Sequence, residues 1–441
     1  CVRSRADIEI AGYLGAFAVR WRSGNALLEG QFDLILDLCD PPLLARHTLP
    51  HGYFAPGLDD EARAAVIGEL AGMTGVFEKP KYFVYRAARC GHGRNGKTGC
   101  SACIDVCSAE AITSAGERID VDTHLCAGCG ACASTCPSGA ISYAYPGVAY
   151  TGERARAMLA AYAAAGGAEP ILVLHDAANR AVAEELPDHA LPLELHHVTA
   201  AGLDVWLAAL CHGARGVLVL TGAHTAPGYL ALLEEQAALA QHILHGLGYP
   251  GRHVVVANDA ATLPQGAVPA QLASFHVMPD KRNTLDFALG HLHAHAPAPP
   301  DMLDLPARAP FGAVQVDTAK CSLCMACVGA CPSSALTDNP SFPRLSFIES
   351  NCIQCGLCVA TCPEQAIELA PRLNFTPTRQ QARTLYESAP FCCISCGKPF
   401  GTALLVETML RRLSGHAAFR AHPDRLRMCS DCRVVDMMKT D

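Results

Sequence analysis

The sequence predicts a multidomain protein that combines α+β and α/β domains. Three observations lead to this prediction. Cysteines recur at one fixed spacing in two separate parts of the chain. The stretch between these parts alternates short hydrophobic strands with helices, which is typical of a parallel sheet flanked by helices. Near the end, two Cys-x₂-Cys pairs stand tens of residues apart, and the 441 residues suffice for roughly two to four domains.

The composition restricts the possible function classes. No apolar run reaches the ~18 residues that a membrane-spanning helix needs, so no membrane span is predicted. The net charge is −8 and the lysines and arginines are scattered, which argues against nucleic-acid binding. The 24 cysteines are clustered at two- and three-residue spacings in a long chain. This pattern favours metal binding in a reducing compartment, the cytoplasm, over a secreted disulfide scaffold.

Residues 1–80 carry the weakest signals. A hydrophobic run over residues 32–38 predicts a strand, and residues 59–71 predict a helix. Proline-rich loops lie between them. We expect a partial α/β segment, and because position 1 is Cys1 rather than methionine, we expect that further chain precedes it.

The pattern Cys-x₂-Cys-x₂-Cys-x₃-Cys-Pro occurs three times, and it is the run that holds [4Fe–4S] clusters. A cubane cluster needs four thiolates, of which three can come from one tight loop. The fourth cysteine begins a helix, and the proline after it suits a first helical turn. The three copies are Cys126, Cys129, Cys132 and Cys136; Cys321, Cys324, Cys327 and Cys331; and Cys352, Cys355, Cys358 and Cys362.

A fourth copy precedes these three and is interrupted. Cys100, Cys103 and Cys107 supply its last three positions, and Cys90 supplies the first if residues 91–99 loop out. Four glycines among these nine residues make such a loop possible.

The same residues also match a phosphate-binding pattern. Residues 91–98 fit G-x-x-x-x-G-K-[ST], the P-loop. A P-loop requires a helix directly after Lys97 and Thr98, whereas Gly99 and the cysteines follow at once. Nucleotide binding is therefore the alternative to the interrupted cysteine motif.

Residues 81–146 and 311–372 resemble bacterial-type ferredoxins with two [4Fe–4S] clusters, the first with an inserted loop. The short segments 109–112, 139–142 and 365–368 match the family's helix-to-strand closure. The resemblance implies two dicluster ferredoxin-like domains, four [4Fe–4S] clusters as cofactors, and crossed ligation. Cluster one would take Cys90, Cys100, Cys103 and Cys136; cluster two Cys126, Cys129, Cys132 and Cys107; cluster three Cys321, Cys324, Cys327 and Cys362; and cluster four Cys352, Cys355, Cys358 and Cys331.

Residues 155–295 are predicted to form a central parallel α/β domain. Ligand sites in such sheets lie beyond the carboxyl ends of the strands, where residues 221–225 and 258–259 fall. No G-x-G-x-x-G motif follows a strand, so a dinucleotide site is not predicted. The predicted strands are 170–174, 192–198, 216–221 and 252–257, and the predicted helices lie near 202–211, 228–246 and 282–294.

The run "LCHGARGVLVLTGAH" in this domain resembles the delta subunit of methyl-viologen-reducing hydrogenase. The cysteines that this family uses for a [2Fe–2S] cluster are missing here, so the resemblance implies the fold and not the cofactor. Cys211 is interpreted as buried filler. The histidines His196, His197, His212 and His224 are interpreted as core or surface residues, because no carboxylate or cysteine supports them as ligands.

Residues 296–310 are rich in proline and alanine and are predicted to be a linker. Residues 385–437 are predicted to be a zinc-knuckle domain, in which two Cys-x₂-Cys pairs form a closed structural site. A rubredoxin-like iron or a pair of disulfides is the alternative, and Cys392 competes with Cys393 as a ligand. The expected ligands are Cys393, Cys396, Cys429 and Cys432.

The whole chain resembles multi-cluster ferredoxin proteins encoded beside molybdenum- or tungsten-dependent formate dehydrogenases in proteobacteria. The phrases "DLILDL", "GYFAPG", "EKPKYFVY", "CCISCGKPFG" and "RMCSDCRV" carry this resemblance. It implies a relay of single electrons between a formate dehydrogenase- or hydrogenase-type enzyme and an acceptor, without independent catalysis. The alternatives are an accessory or assembly factor for a metalloenzyme, and a subunit of an oxidoreductase complex.

Overall fold

The computed structural model describes residues 8–259, 261–267, 269 and 271–439, so that Cys1 lies outside the described residues. The chain divides into two compact units. The first unit contains the described residues up to Ala87 and those from Ser101 to Ala298. The second unit contains Ala88–Cys100 and the described residues from Pro299 onwards. Among the described helices, none has both the length and the apolar character that a membrane crossing requires.

The first unit begins with an antiparallel meander. Its strands are β1 (Ile8–Ala11), β2 (Phe17–Ser23) and β3 (Ala26–Phe32). The next strand, β4 (Ile35–Leu36), pairs in parallel with β5 (Tyr53–Phe54) and is far shorter than the strand predicted over residues 32–38. It ends early because the Asp37 carboxylate accepts hydrogen bonds from the Cys39 and Leu43 amides and thereby turns the chain. Helix α1 (Asp60–Gly72) follows, with Asp59 as its N-cap.

The first cysteine-rich module consists of short elements around its cysteine loops. Strand β6 (Phe83–Tyr85) pairs antiparallel with the module's last strand, and a hairpin links its two halves. Residues 88–100, which belong to the second unit, contain β7 and β8. In chain order the elements after β6 are β7 (Gly93–Arg94), β8 (Lys97–Thr98), α2 (Ala102–Asp105), β9 (Ile112–Ala115), β10 (Arg118–Val121), α3 (Ala131–Thr135) and β11 (Ile141–Tyr143).

The α/β domain of the first unit has the parallel sheet that the sequence predicts. Its four strands are all parallel and lie in the order β13-β12-β14-β15. The two central strands and the helix that carries Trp206 are completely buried, which explains their continuous hydrophobic runs. The elements are α4 (Val148–Ala164), β12 (Ile171–His175), α5 (Arg180–Glu184), β13 (Ala190–Glu194), α6 (Leu203–Cys211), β14 (Gly216–Leu220), α7 (Pro227–Gly246), β15 (Val254–Ala257) and α8 (Lys281–Ala294).

The second unit contains the second cysteine-rich module, built on two three-stranded sheets. Their orders are β16-β20-β17 and β18-β19-β21. The proline- and alanine-rich residues 296–310, predicted as a linker, include β16, because Leu303 pairs with Leu373 in the sheet. The elements are β16 (Met302–Asp304), β17 (Gly312–Val316), α9 (Ala326–Ala330), β18 (Leu336–Asp338), β19 (Arg344–Phe347), α10 (Leu357–Thr361), β20 (Ile367–Asn374) and β21 (Arg383–Glu387).

The C-terminal part of the second unit is a hairpin followed by two helices. The hairpin consists of β22 (Pro390–Cys392) and β23 (Pro399–Thr402), and the helices are α11 (Ala403–Leu413) and α12 (Ser430–Lys439). Thr402 caps α11 by accepting a hydrogen bond from the Leu405 amide. Its hydroxyl also donates to the Ser322 carbonyl at 2.9 Å, which fastens this part to a cysteine loop of the same unit.

Candidate iron-sulfur and metal sites

Four cysteines line each of three cavities in the described chain. The first cavity lies in the first unit and has about 470 Å³, and the second and third lie in the second unit with about 330 Å³ each. Each takes three cysteines from one motif and the fourth from the neighbouring motif. The first cavity contains Cys107, Cys126, Cys129 and Cys132; the second Cys331, Cys352, Cys355 and Cys358; and the third Cys321, Cys324, Cys327 and Cys362.

The three loops that surround these cavities turn in the same way. In each loop, the residues directly before and directly after the second cysteine have positive φ. Successive left- and right-handed residues point backbone amides toward one concave side, which suits an anion such as a thiolate. These turning residues are Gly128 and Gly130, Leu323 and Met325, and Gln354 and Gly356.

Backbone amides donate hydrogen bonds to the sulfurs at the cavity walls. The Ala111 amide lies 3.4 Å from Cys107 Sγ, and the Ala366 amide lies 3.3 Å from Cys362 Sγ. In both cases the donor follows its cysteine by four residues. The fourth cysteine does not begin a helix, as the sequence predicted, but ends one, because Cys136, Cys331 and Cys362 are the C-caps of α3, α9 and α10. The amide hydrogen bonds would stabilise negative charge on a cluster that these sulfurs hold.

Burial and mutual repulsion raise the pKa values of the enclosed thiols. Burial is the larger cause at Cys132 in the first cavity, and the neighbouring thiolates add to it. The same two effects raise the pKa of Cys355 to about 12 and that of Cys327 to about 12. Four thiolates in a closed space require a bound cation, and a coordinated thiol is deprotonated outright. The donor sets therefore fit an iron–sulfur cluster.

The α/β domain covers the first cavity within the first unit. The hydroxyl of Tyr229, on α7, accepts a hydrogen bond from Ser108 Oγ at 2.5 Å and donates one to the Cys129 sulfur. Thr199 Oγ1 donates to the Cys129 carbonyl at 2.8 Å. A Cβ on Gly130 would lie 2.6 Å from the Ala200 Cα, so this contact requires glycine. Sequence reasoning missed Tyr229 and Thr199, because no local pattern marks a contact between residues so far apart in the chain.

The predicted set of cluster one is divided between the two units. Cys90 and Cys100 belong to the second unit, and Cys103 and Cys136 belong to the first. This grouping stays a prediction.

The interrupted motif contains a hairpin rather than a phosphate loop. Residues 91–99 include β7 and β8, and the Cys100 amide donates to the Gly91 carbonyl at 2.9 Å. The chain is a strand at Lys97 and Thr98, where a P-loop would start a helix. The buried His92 reinforces the hairpin through Nδ1, which lies 2.9 Å from the Cys100 carbonyl oxygen. The helix that a P-loop needs for nucleotide binding is therefore not present at this position.

A fourth group of cysteines lies in the C-terminal part of the second unit. The sulfurs of Cys393, Cys396, Cys429 and Cys432 all lie within 4.8 Å of one another, whereas Cys392 is exposed and outside the group. None of the described cysteines forms a disulfide. The group can hold one metal ion, and four thiolates would leave no position for a substrate.

Backbone amides stabilise the thiolate form of one member of this group, Cys393. Burial raises the pKa of Cys393, but the amides of Cys429, Cys396 and Ser395 outweigh it and lower the pKa to about 6. Two of these amides lie 3.3 Å and 3.4 Å from the Cys393 sulfur. The amide donors of a tight knuckle thus stabilise negative charge at the position where a cation would bind.

Cys211 and two of the histidines of the α/β domain make structural contacts. Cys211 is completely buried and donates to the Ala288 carbonyl at 3.6 Å. His212 Nε2 lies 2.9 Å from the Phe275 carbonyl oxygen, and His197 Nδ1 accepts a hydrogen bond from the Thr199 amide. These contacts agree with the interpretation of Cys211, His197 and His212 as core residues, and the roles of His196 and His224 stay predictions.

Comparison with known proteins identifies the two cysteine-rich modules. Residues 98–145 match a family described as 4Fe-4S dicluster domain, and residues 313–363 match a second family of the same description. No curated protein matches the chain at the significance that we required. The chain thus carries two 4Fe-4S dicluster domains, which supports an iron–sulfur electron-transfer role.

Proposed function

We propose that the chain relays single electrons through four [4Fe–4S] clusters held by its sixteen motif cysteines. The observation that carries this proposal is the convergence of four cysteines on each of three cavities. Each of these sets is one that the crossed ligation of dicluster ferredoxins implies. Cluster one, for which no cavity is described, would bind to Cys90, Cys100, Cys103 and Cys136, as the interrupted motif suggests.

The protein's own residues would hold the clusters and influence their reduction potentials. When bound, such clusters accept and release one electron each, with potentials between about −700 and +450 mV. The amides of Ala111 and Ala366 stabilise the additional negative charge of the reduced state. The burial of Cys132 and Cys355 opposes that charge. No residue of the described cavities is a candidate for bond-making chemistry, so we propose no independent catalysis.

The partners we propose are redox proteins, with a formate dehydrogenase- or hydrogenase-type enzyme on one side and an electron acceptor on the other. The resemblance of the whole chain to ferredoxin proteins encoded beside formate dehydrogenases supports this choice. The clustering of the cysteines at metal-binding spacings suits the reducing cytoplasm. We further propose that Cys393, Cys396, Cys429 and Cys432 bind one structural zinc.

Metal analysis of the anaerobically purified chain tests the proposal. We expect about sixteen iron and sixteen sulfide per chain, as four cubane clusters require, and one zinc. Redox-titrated electron paramagnetic resonance should show signals from more than one [4Fe–4S]⁺ centre. Colourless, iron-free protein would refute the proposal, and four to eight iron atoms would reduce it to one working module.

A formate dehydrogenase- or hydrogenase-type partner is tested separately. The reduced chain should be reoxidised when the enzyme and its oxidised substrate are added, with the visible cluster absorption as the readout. An identical rate without the enzyme would contradict the proposed partner while leaving the relay intact.

A further inference from the structure

The hairpin of residues 91–99 packs on a cysteine loop of the second dicluster domain. In the sequence, Ala88–Cys100 belongs to the first cysteine-rich module, yet it is part of the second unit. Within that unit β8 lies against α10, the helix that begins at Leu357. The interrupted motif therefore brings its own two cysteines, Cys90 and Cys100, into the unit that contains Cys355.

The contact is a close approach of backbone that only glycine permits. A Cβ on Gly91 would lie 2.8 Å from the Cys355 Cβ and 3.3 Å from its sulfur. A Cβ on Gly99 would lie 2.6 Å from the Leu357 Cγ and 2.9 Å from the Cys355 carbonyl oxygen. Neither Gly91 nor Gly99 has a positive φ, so space rather than backbone conformation requires glycine at both positions.

Two backbone hydrogen bonds close the hairpin at the point where it touches Cys355. The Cys100 amide donates to the Gly91 carbonyl at 2.9 Å, and the Gly99 amide donates to the His92 carbonyl at 2.7 Å. Gly91 therefore stands opposite Cys100, and Gly99 opposite His92, at the base of the hairpin, and the two glycines adjoin Cys90 and Cys100 in the chain. The Cys100 and Cys355 side chains are close enough to interact electrostatically.

We propose that this hairpin is the junction through which electrons pass between the set that contains Cys90 and Cys100 and the set that contains Cys355. The proposal rests on the proposed function and adds one step of the relay, the transfer between cluster one and cluster four. One electron crosses the junction at a time. One side is oxidised by one electron and the other is reduced by one, with no bond formed or broken and no proton moved. Gly91 and Gly99 act as positioning residues.

Magnetic coupling in the intact chain tests this step. Cys358→Ser, which removes a ligand of cluster four, should narrow the cluster one signal in the fully reduced protein by removing the spin–spin broadening that cluster four contributes, whereas the contribution of cluster two remains. The matched Cys327→Ser, which removes a ligand of cluster three, should leave the cluster one signal unchanged. If Cys327→Ser alters the cluster one signal and Cys358→Ser does not, the proposed step is overturned.

Glycine substitutions test the junction itself. Gly91→Val should retain the full iron content but lose the coupling and slow electron exchange between the two domains after flash reduction. Gly329→Ala is the control, because a Cβ on Gly329 would meet no atom within 4 Å. Full coupling in Gly91→Val with full iron content would overturn the proposal. If Gly91→Val loses iron, the comparison of Cys358→Ser with Cys327→Ser still tests the proposal. Absence of iron from the wild-type chain would instead refute the proposed function.

Discussion

The first and second cavities have the same cysteine spacing but different surroundings. In the first cavity, Gly128 stands between the first two cysteines of the loop, and the Tyr82 ring packs where a Cβ would lie. In the second cavity, the same position is Gln354, whose Nε2 donates to the Cys352 sulfur at 3.2 Å. The α/β domain covers the first cavity, where Tyr229 donates to Cys129. The motif thus determines where the thiols converge, and the residues between and above them determine the local dielectric and the hydrogen bonds.

This difference has a functional consequence. The potential of an iron–sulfur cluster depends on hydrogen bonds to its sulfurs and on its exposure to solvent. Two sites with the same four ligands will therefore differ in potential, and a relay with a preferred direction becomes possible. The predictions below test the contrast between enclosed and open sites in this chain.

The largest effect is expected from removing an enclosed ligand. Cys132→Ser in the first cavity removes a ligand from a site where burial raises the pKa of the thiols, so we expect loss of a whole cluster, about four iron atoms. Cys324→Ser in the third cavity is the comparison, because Cys324 is exposed and water can take the vacated position. We expect this variant to retain at least three iron atoms at that site. Iron and sulfide analysis of both variants measures the difference, and equal losses would contradict it.

Ligand spacing is a local property, so the sequence indicates which cysteines line each of the three cavities, whereas their roles as cluster ligands stay a prediction. Three thiolates of each site come from one loop, and a cubane cluster permits few other spacings. The strands β12 and β14 were equally recognisable, since complete burial produces continuous hydrophobic runs. Tyr229 was not predictable, because Ser108 and Tyr229 stand 121 positions apart and meet only after the α/β domain has folded. The inclusion of β16 in a sheet was missed for a related reason, because proline and alanine content says nothing about the pairing of Leu303 with Leu373.

The next prediction concerns the C-terminal cysteine group, which is independent of the cavities. Cys432→Ser should remove the zinc and leave the iron content unchanged, since the four sulfurs form a group of their own. The neighbouring Cys392→Ser should retain the zinc, because Cys392 is exposed and outside that group. Zinc and iron are measured together by plasma mass spectrometry. Loss of iron in Cys432→Ser would show that the group contributes to a cluster instead.

A smaller effect, on the free energy of unfolding, is expected from breaking an ion pair in the second dicluster domain. Arg372 forms two hydrogen bonds with the buried Glu349, at 2.7 and 2.8 Å, and Glu349 also accepts one from Asn374. Burial raises the pKa of Glu349, but Arg372 and Asn374 outweigh it and lower the pKa below its ordinary value. Arg372→Met leaves the Glu349 carboxylate without its main partner, so we expect the free energy of unfolding to fall by roughly 2 kcal/mol.

The control for this pair is Arg344→Met, which removes an exposed partner of Glu387. Exposed pairs are worth between about 0 and 1 kcal/mol, so this variant should be nearly neutral. Urea denaturation of the holoprotein at pH 7 measures both variants. Equal stabilities would show that the Glu349 pair does not fasten the domain.

The smallest expected effect is a shift in cluster potential when a hydrogen bond to a cysteine sulfur is removed from the first or the second cavity. Tyr229→Phe removes the donor to Cys129 in the first cavity, and Gln354→Ala removes the donor to Cys352 in the second. Each lost donor stabilised the more negative, reduced state, so each variant should lower the potential of one cluster only. A hydrogen bond worth about 1 kcal/mol corresponds to roughly 40 mV for one electron.

Tyr249→Phe is the matched control, because the Tyr249 hydroxyl donates to the Leu292 carbonyl and does not line the cavity. Redox titration followed by electron paramagnetic resonance resolves such shifts. If Tyr229→Phe and Gln354→Ala shifted the same signal, the assignment of separate clusters to the two cavities would fail, since each donor contacts a cysteine of only one set.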